Sequence, residues 1–350
     1  MGQLAWLGSL GFVVDSLKNI VIPGRKVHMP QRSELKAFPI SRLIDNSVTD
    51  FDLYLDVANT IVLYAPAPYH WLRDELQRLL NDGHGSLYYT TSDERKVEAY
   101  QVITAIPKVA DDLPPPKRLL ALNDAAAELT KVLFKHPLTQ ASLMKGREIS
   151  DSMVKCIQED RSCVLALGML ATHDQYTYYH SARVAAYALA MALQLSIRDD
   201  KLLQEMALGC LLHDIGKAKV PYHILTKTGP LDEAEWREIK LHPEYGFKMI
   251  EEGIVSLVPR EVILHHHERE DGTGYPHGLT SAEIMDEVRI AAFADIYDAL
   301  TSNRPYHIAR TRYEALDFIR FRLLNKVSKD AFRAMVEIFA GEDKEKDKAG

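Results

Sequence analysis

At 350 residues the chain has room for two domains and at least one sizeable core. Its 47% hydrophobic and 26% charged content is that of an ordinary soluble globular protein. The net charge of −7 argues against a general surface for nucleic acid or another polyanion.

Residues 1–32 read as an uncertain N-terminal leader. Residues 4–14 are apolar but lack a basic segment before them and an Ala-x-Ala-like cleavage site after them, and they are too short for a membrane span. Met29 opens a more ordinary-looking start, and no other stretch approaches the length of a transmembrane helix. Residues 33–108 read as a small α/β regulatory or interaction domain. Within it, residues 51–57 alternate like a half-buried strand, residues 59–64 form a second, and Ala65-Pro-Ala-Pro ends it. A helix is expected over residues 71–81, with Leu72, Leu76, Leu79 and Leu80 on one face and Asp82-Gly83 as its stop. Residues 86–90 form a third short strand. None of these residues makes a catalytic arrangement, so the unit is a sensory module or a scaffold.

Residues 109–117 are a Pro-rich linker, since three consecutive prolines neither continue a helix nor enter a strand ladder. Residues 118–341 then read as helical, with apolar residues at three- and four-residue intervals over 119–135, 139–159 and 161–170. The charged residues 342–350 are expected to be a disordered tail. Cys156, Cys163 and Cys210 form neither a CxxC motif nor a paired framework, which fits a reducing compartment and buried, structural thiols.

The chemistry lies in the helical part. A helix over 176–195 carries Tyr176, His180, Val184 and Tyr187 on one stripe. One inward histidine is ordinarily a core residue; the histidines and aspartates further along the chain raise His180 above that. A second helix runs from Lys201 to His213-Asp214-Ile-Gly-Lys217, where a carboxylate with two oxygens can bridge two cations while the adjacent imidazole holds one. Gly216 lets the chain turn, and Lys217 is left near the site. His242-Pro243 opens another helix. Val262 and Ile263 point inward on the next, and His266 and His267, one turn further along those stripes, reach the same interior. His265 is read as solvated or supporting. Residues 290–302 are too apolar to present acids casually, and Asp295 and Asp298 lie there one turn apart. A buried carboxylate is costly unless paired or metal-bound, which favours ligation for Asp295. The run from His265 to Pro276 joins three imidazoles to a Gly-Thr-Gly-Tyr-Pro turn, and together these stretches read as a metal site built from several helices.

The set His180-Ser181, His213-Asp214-Ile-Gly-Lys217, His242-Pro243, His266-His267-Glu268, Asp271-Gly-Thr-Gly-Tyr275-Pro276, Asp295 and Asp298-Ala-Leu-Thr-Ser-Asn-Arg304-Pro-Tyr resembles the HD-GYP subgroup of the HD phosphohydrolase superfamily, over roughly residues 165–310. The resemblance implies a mainly α fold: an all-helical HD-type bundle after the small N-terminal α/β domain. It implies a cyclic di-GMP phosphodiesterase that yields linear pGpG, GMP or both. The metal ligands would be His180, His213, Asp214, His242, His266, His267 and Asp295, with Asp214 bridging. Lys217 would serve catalysis, and Lys217, Tyr275, Asp298 and Arg304 would contact substrate. Some members have a Glu where this chain has Tyr176, which favours two metals over three; many have Arg or Lys where this chain has His307.

The implied cofactors are two divalent ions, iron or alternatively manganese, with no organic cofactor. Two cations roughly 3.5–4 Å apart would share a hydroxide as nucleophile, and Lys217 would offset the charge developing on the phosphorus. The implied partners are a cyclic dinucleotide, a diguanylate cyclase (GGDEF) or other signalling protein, and a second copy of the chain. Neither nucleic-acid polymer nor membrane is among them, and the bacterial cytoplasm is the implied location. Two alternatives stand beside this reading: a weakly active or inactive sensor, and a hydrolase of another cyclic dinucleotide such as cyclic GMP-AMP.

Overall fold

A computed structural model describes residues 29–169, 176–250, 255–303 and 308–349, of which 168–169, 176–177 and 341–349 are described as backbone. The expected leader therefore lies almost wholly outside the described residues, as do Arg304 and His307. Contacts divide the chain into one unit running to Ala105 and including Thr139–Ala141, and a second made of Ile106–Leu138 and the chain from Ser142 onward.

The first unit contains β1 (Leu35–Pro39), β2 (Val48–Thr49), β3 (Leu53–Val57), β4 (Thr60–Ala65), β5 (Tyr69–His70), α1 (Arg73–Asn81), β6 (Ser86–Thr90) and α2 (Glu94–Ala105). A four-stranded antiparallel sheet has the order β1-β6-β3-β4, and β2 pairs with β5 in a short ribbon. Asn59, expected to begin a strand, instead turns the β3–β4 hairpin with Ala58. Both have positive φ, 69° at Asn59 and 47° at Ala58, as a two-residue turn matched to strand twist requires. Phe38, Phe51, Tyr89 and Tyr100 pack as tilted and edge-to-face rings in the core. The expected apolar face of α1 is narrower than its leucines suggest: Leu79 is buried, whereas Leu72 and Leu80 are exposed. Trp71 precedes α1 and is fully buried, with its indole N–H donated to Thr49 Oγ1 at 3.2 Å.

The second unit is helical: α3 (Pro115–Lys135), α4 (Gln140–Glu159), a 3₁₀ stretch (Arg161–Met169), α5 (Tyr176–Gln194), α6 (Asp200–Leu212), α7 (Tyr222–Leu225), α8 (Glu233–Ile239), α9 (His242–Met249), α10 (Leu257–His265), α11 (Asp286–Thr301), α12 (Arg312–Arg322) and α13 (Lys329–Ala349). Two of the linker prolines open α3, because the N–H that Pro115 lacks is one the first helical turn leaves unpaired anyway. Residues 342–349, expected to be disordered, continue α13; their glutamates, lysines and alanine are strong helix formers. Buried on every side from Ala182 to Leu193, α5 is the hub, packed by α3, α6, α11 and α13. Its six alanines in that span allow the close approach of four neighbours. Among the described residues, no helix is long and apolar enough to cross a membrane.

Candidate metal centre

Three helices end at one place. An α-helix leaves its last carbonyls without partners, and here histidines take them up. The His213 Nδ1–H, just past α6, donates to Cys210 O at 2.7 Å. The His242 Nδ1–H donates to Ile239 O, the last carbonyl of α8, at 2.8 Å, and the His266 Nδ1–H donates to Ile263 O in the last turn of α10 at 3.0 Å. A carbonyl only accepts, so each ring carries its proton on Nδ1 and turns the bare Nε2 inward. The negative ends of three helix dipoles also converge there, which favours a cation.

Asp214 stands between two groups of donors. The ligating atoms of His180, His213 and Asp214 lie within 4.8 Å of one another, and so do those of Asp214, His242, His266 and His267. Asp214 Oδ2 is 3.4 Å from His213 Nε2 and 3.9 Å from His180 Nε2, while Oδ1 is 3.2 Å from His242 Nε2. Asp295 faces both groups, with Oδ1 3.0 Å from His180 Nε2 and Oδ2 3.6 Å from His267 Nδ1.

The arrangement fits cations and fits little else. His242 Nε2 and His266 Nε2 face each other at 3.2 Å as two lone pairs. His213 Nε2 and Asp214 Oδ1 are buried without any hydrogen bond, a costly state for polar atoms in the interior. Burial holds His213 and His267 below the usual imidazole range and His266 well below it, so they are neutral. Burial would raise Asp214, but its surroundings, the Lys217 ammonium foremost, hold the carboxyl well below its ordinary range. Asp295 is likewise held well below its ordinary value by His180, against the effect of burial. The neutral imidazoles of His213, His266 and His267 beside ionised carboxylates, with no thiolate among them, are a ligand set for divalent metal ions such as iron, manganese or zinc.

Asp298 corrects one expectation. Fully buried, it is out of reach of substrate and spends both oxygens on the protein. Oδ2 accepts from His180 Nδ1 at 2.7 Å and from Arg183 Nη2 at 3.1 Å, and Oδ1 accepts from Arg183 Nε at 2.5 Å. Arg183 Nη2 also donates to Ser302 Oγ at 3.1 Å. Asp298 therefore orients the His180 ring from behind. Burial alone would raise its carboxyl; Arg183 and His180 hold it down to about 2.

The Gly-Tyr-Pro segment is fastened by Glu268, which the motif contains but for which sequence suggested no role. Its buried carboxylate accepts three backbone N–H bonds, from His277 (2.7 Å), Gly278 (3.0 Å) and Leu279 (3.0 Å). The Tyr275 ring lies over His267, with centroids 4.7 Å apart and planes at 31°. Lys217 sits at the mouth, a quarter exposed, with Nζ 2.6 Å from Asp214 Oδ2. Gly216 is needed for close approach rather than for turning: a Cβ there would lie 1.9 Å from His242 O and 2.4 Å from Gly246 N. His265 turns away from the centre to Glu261 (2.9 Å) and His277 (3.0 Å). Arg304 lies outside the described residues, as does the Tyr176 side chain.

Comparison with known proteins agrees with this geometry. The HD domain family model matches residues 165–327. A cyclic di-GMP phosphodiesterase of Pseudomonas aeruginosa is 42% identical over 170 residues, covering 48% of this chain and 41% of that protein. A 3'3'-cGAMP-specific phosphodiesterase of Vibrio cholerae is 37% identical over 216 residues, covering 60% of this chain and 44% of that one. The chain thus spans less than half the length of these two relatives. A solved HD-GYP-type protein from Bdellovibrio bacteriovorus shares the fold, with a TM-score of 0.57 at 19% identity over 87% of this chain and 99% of that one. Residues 165–327 thus match the HD domain family model, and this part of the chain is similar to the two phosphodiesterases.

Proposed function

We propose that this protein is a metal-dependent phosphodiesterase that opens cyclic di-GMP to linear pGpG, GMP or both. The observation that carries the reading is Asp214, one carboxylate held between two sets of inward-facing imidazoles. In this reading His180, His213, Asp214 and Asp295 hold one ion, and Asp214, His242, His266 and His267, with Asp295 alongside, hold a second. Iron is the ion of choice and manganese the alternative. Two such ions, when bound, would acidify a water and draw charge from the phosphate.

The chain's own residues do the rest. Lys217, beside Asp214 and partly open to solvent, offsets negative charge that develops on the phosphoryl oxygens. Tyr275 walls the site over His267, and Glu268 keeps that wall in place through three backbone bonds. Arg304 takes the role of a phosphate or guanine contact on the strength of its motif. The same resemblance supports action in the bacterial cytoplasm, with a GGDEF cyclase or a second copy of the chain as protein partner. The relatives named for cyclic di-GMP and for 3'3'-cGAMP support the substrate class, and the second makes cyclic GMP-AMP the competing substrate.

The test is product chromatography with anaerobically purified, iron- or manganese-loaded protein, given each cyclic dinucleotide, alongside Asp214→Ala. Metal-dependent linear product, lost in the variant, is expected. Binding without turnover under every metal would make the protein a sensor, and absence of both would refute the substrate class.

A further inference from the structure

A groove opens along α8, lined by Glu233, Trp236, Arg237 and Lys240. These residues recur at three- and four-residue intervals, so they share one face of the helix. Trp236 is half exposed on it, unlike Trp71, which is fully buried. A large exposed aromatic flanked by two cations is an unusual use of surface, and α8 is built to hold it still. Asp232 and Glu235 form a reciprocal capping box, and Lys227 Nζ lies 2.5 Å from Glu235 Oε2. Among the described residues, Arg237 and Lys240 enter no ion pair.

The face approaches the metal centre through Lys240. Lys240 Nζ lies 5.4 Å from the centroid of the Tyr275 ring, and that ring lies over His267. Two residues after Lys240 comes His242 itself. Lys240, one member of the α8 face, therefore stands beside the ring that covers His267.

We infer that the α8 face is a nucleobase subsite: Trp236 stacks on a guanine, Glu233 accepts from its N1–H and N2–H edge, and Arg237 and Lys240 face the cyclic phosphate backbone. The chemistry of each member fits. Every base offers a π-face to an indole, an anionic ring of sugars and phosphates matches two cations, and a carboxylate pairs with guanine where adenine presents no matching donors. The inference rests on the cyclic-dinucleotide reading above and extends it to specificity.

Tryptophan fluorescence, for the quench, and isothermal titration calorimetry, for Kd, test it on the metal-loaded protein with cyclic di-GMP. Wild type should show quenching on binding. Trp236→Ala should raise Kd and KM between about fivefold and a hundredfold, the usual worth of one stacked base, with kcat and metal content unchanged. Trp236→Phe should keep Kd within about threefold of wild type while losing the quench. Glu233→Gln should narrow the preference for cyclic di-GMP over cyclic di-AMP. Unchanged Kd in Trp236→Ala, with wild type binding normally, would overturn the subsite alone. Failure of wild type to bind any cyclic dinucleotide would overturn the functional reading and the subsite with it.

Discussion

Replacing Arg183 with methionine tests the account of His180 directly. The change keeps most of the side-chain volume but removes the guanidinium that donates to Asp298 at 2.5 and 3.1 Å. Asp298 has no exposure to water, so its charge would be left with His180 and a long 3.4 Å contact from Ser302 Oγ. Breaking a buried pair by deleting one partner typically costs about 3–5 kcal/mol. Acid sensitivity gives an independent measure. A carboxylate held at about 2, against 3.8 unperturbed, contributes about 2–3 kcal/mol that is complete above pH ~4 and lost as pH falls from there toward ~2. Denaturant unfolding of the metal-free protein at pH 7 and at stepped acidic pH should show both effects in wild type against Arg183→Met. In Arg183→Met/Asp298→Asn, with no buried charge to strand, part of the pH 7 loss should return. Metal affinity should nevertheless fall about 10- to 100-fold in either variant, because the orienting partner of one ligand is disturbed. A single-variant loss below about 1 kcal/mol, with an unchanged acid limb, would refute the reasoning.

Gly216→Ala should lower the melting temperature sharply and empty the centre, since its methyl meets the backbone of His242 and Gly246, which has nowhere to go; thermal unfolding and metal analysis would show it. Glu268→Gln should leave metal content intact but speed proteolysis within residues 271–280 and lower turnover, because three N–H groups lose a charged acceptor worth about 1.5–3 kcal/mol per bond. Returning Mn²⁺ to chelator-treated protein should raise its stability by about 4 kcal/mol at a thousandfold excess over Kd, measured as a shift in the unfolding midpoint. On acidification metal content should fall first through His180, which Asp295 and Asp298 hold above the usual imidazole range against the effect of burial and which must shed its proton to bind. His213, His266 and His267, held below that range, stay neutral longer.

The candidate ligands were legible as a group because their chemistry is conspicuous against its setting: histidines and aspartates in stretches otherwise fit for a core. The mounting was less so. Arg183 gave the same kind of signal as Asp295, a charge inside an alanine-rich buried helix three residues from His180, and it passed unread because no motif contains it. Asp298 was recognised as buried, but spacing along one helix cannot say which side chain of another helix will meet it. Glu268 failed for a related reason, since its partners are backbone N–H groups that every residue except proline has. At Asn59, strand propensity lost to the hairpin's need for positive φ, and in α3 the prolines mark the start of a helix rather than a gap between helices.

The way the imidazoles are mounted has an evolutionary consequence. His213, His242 and His266 take their orientation from peptide carbonyls, which remain whatever side chain occupies residue 210, 239 or 263. His180 alone among these four leans on a side chain, Asp298, which leans in turn on Arg183. Single substitutions can therefore retune one corner of the centre while three others stay locked to the main chain. Drift in metal preference among descendants of this sequence should be recorded at residues 183, 298 and 302 before it touches any ligand.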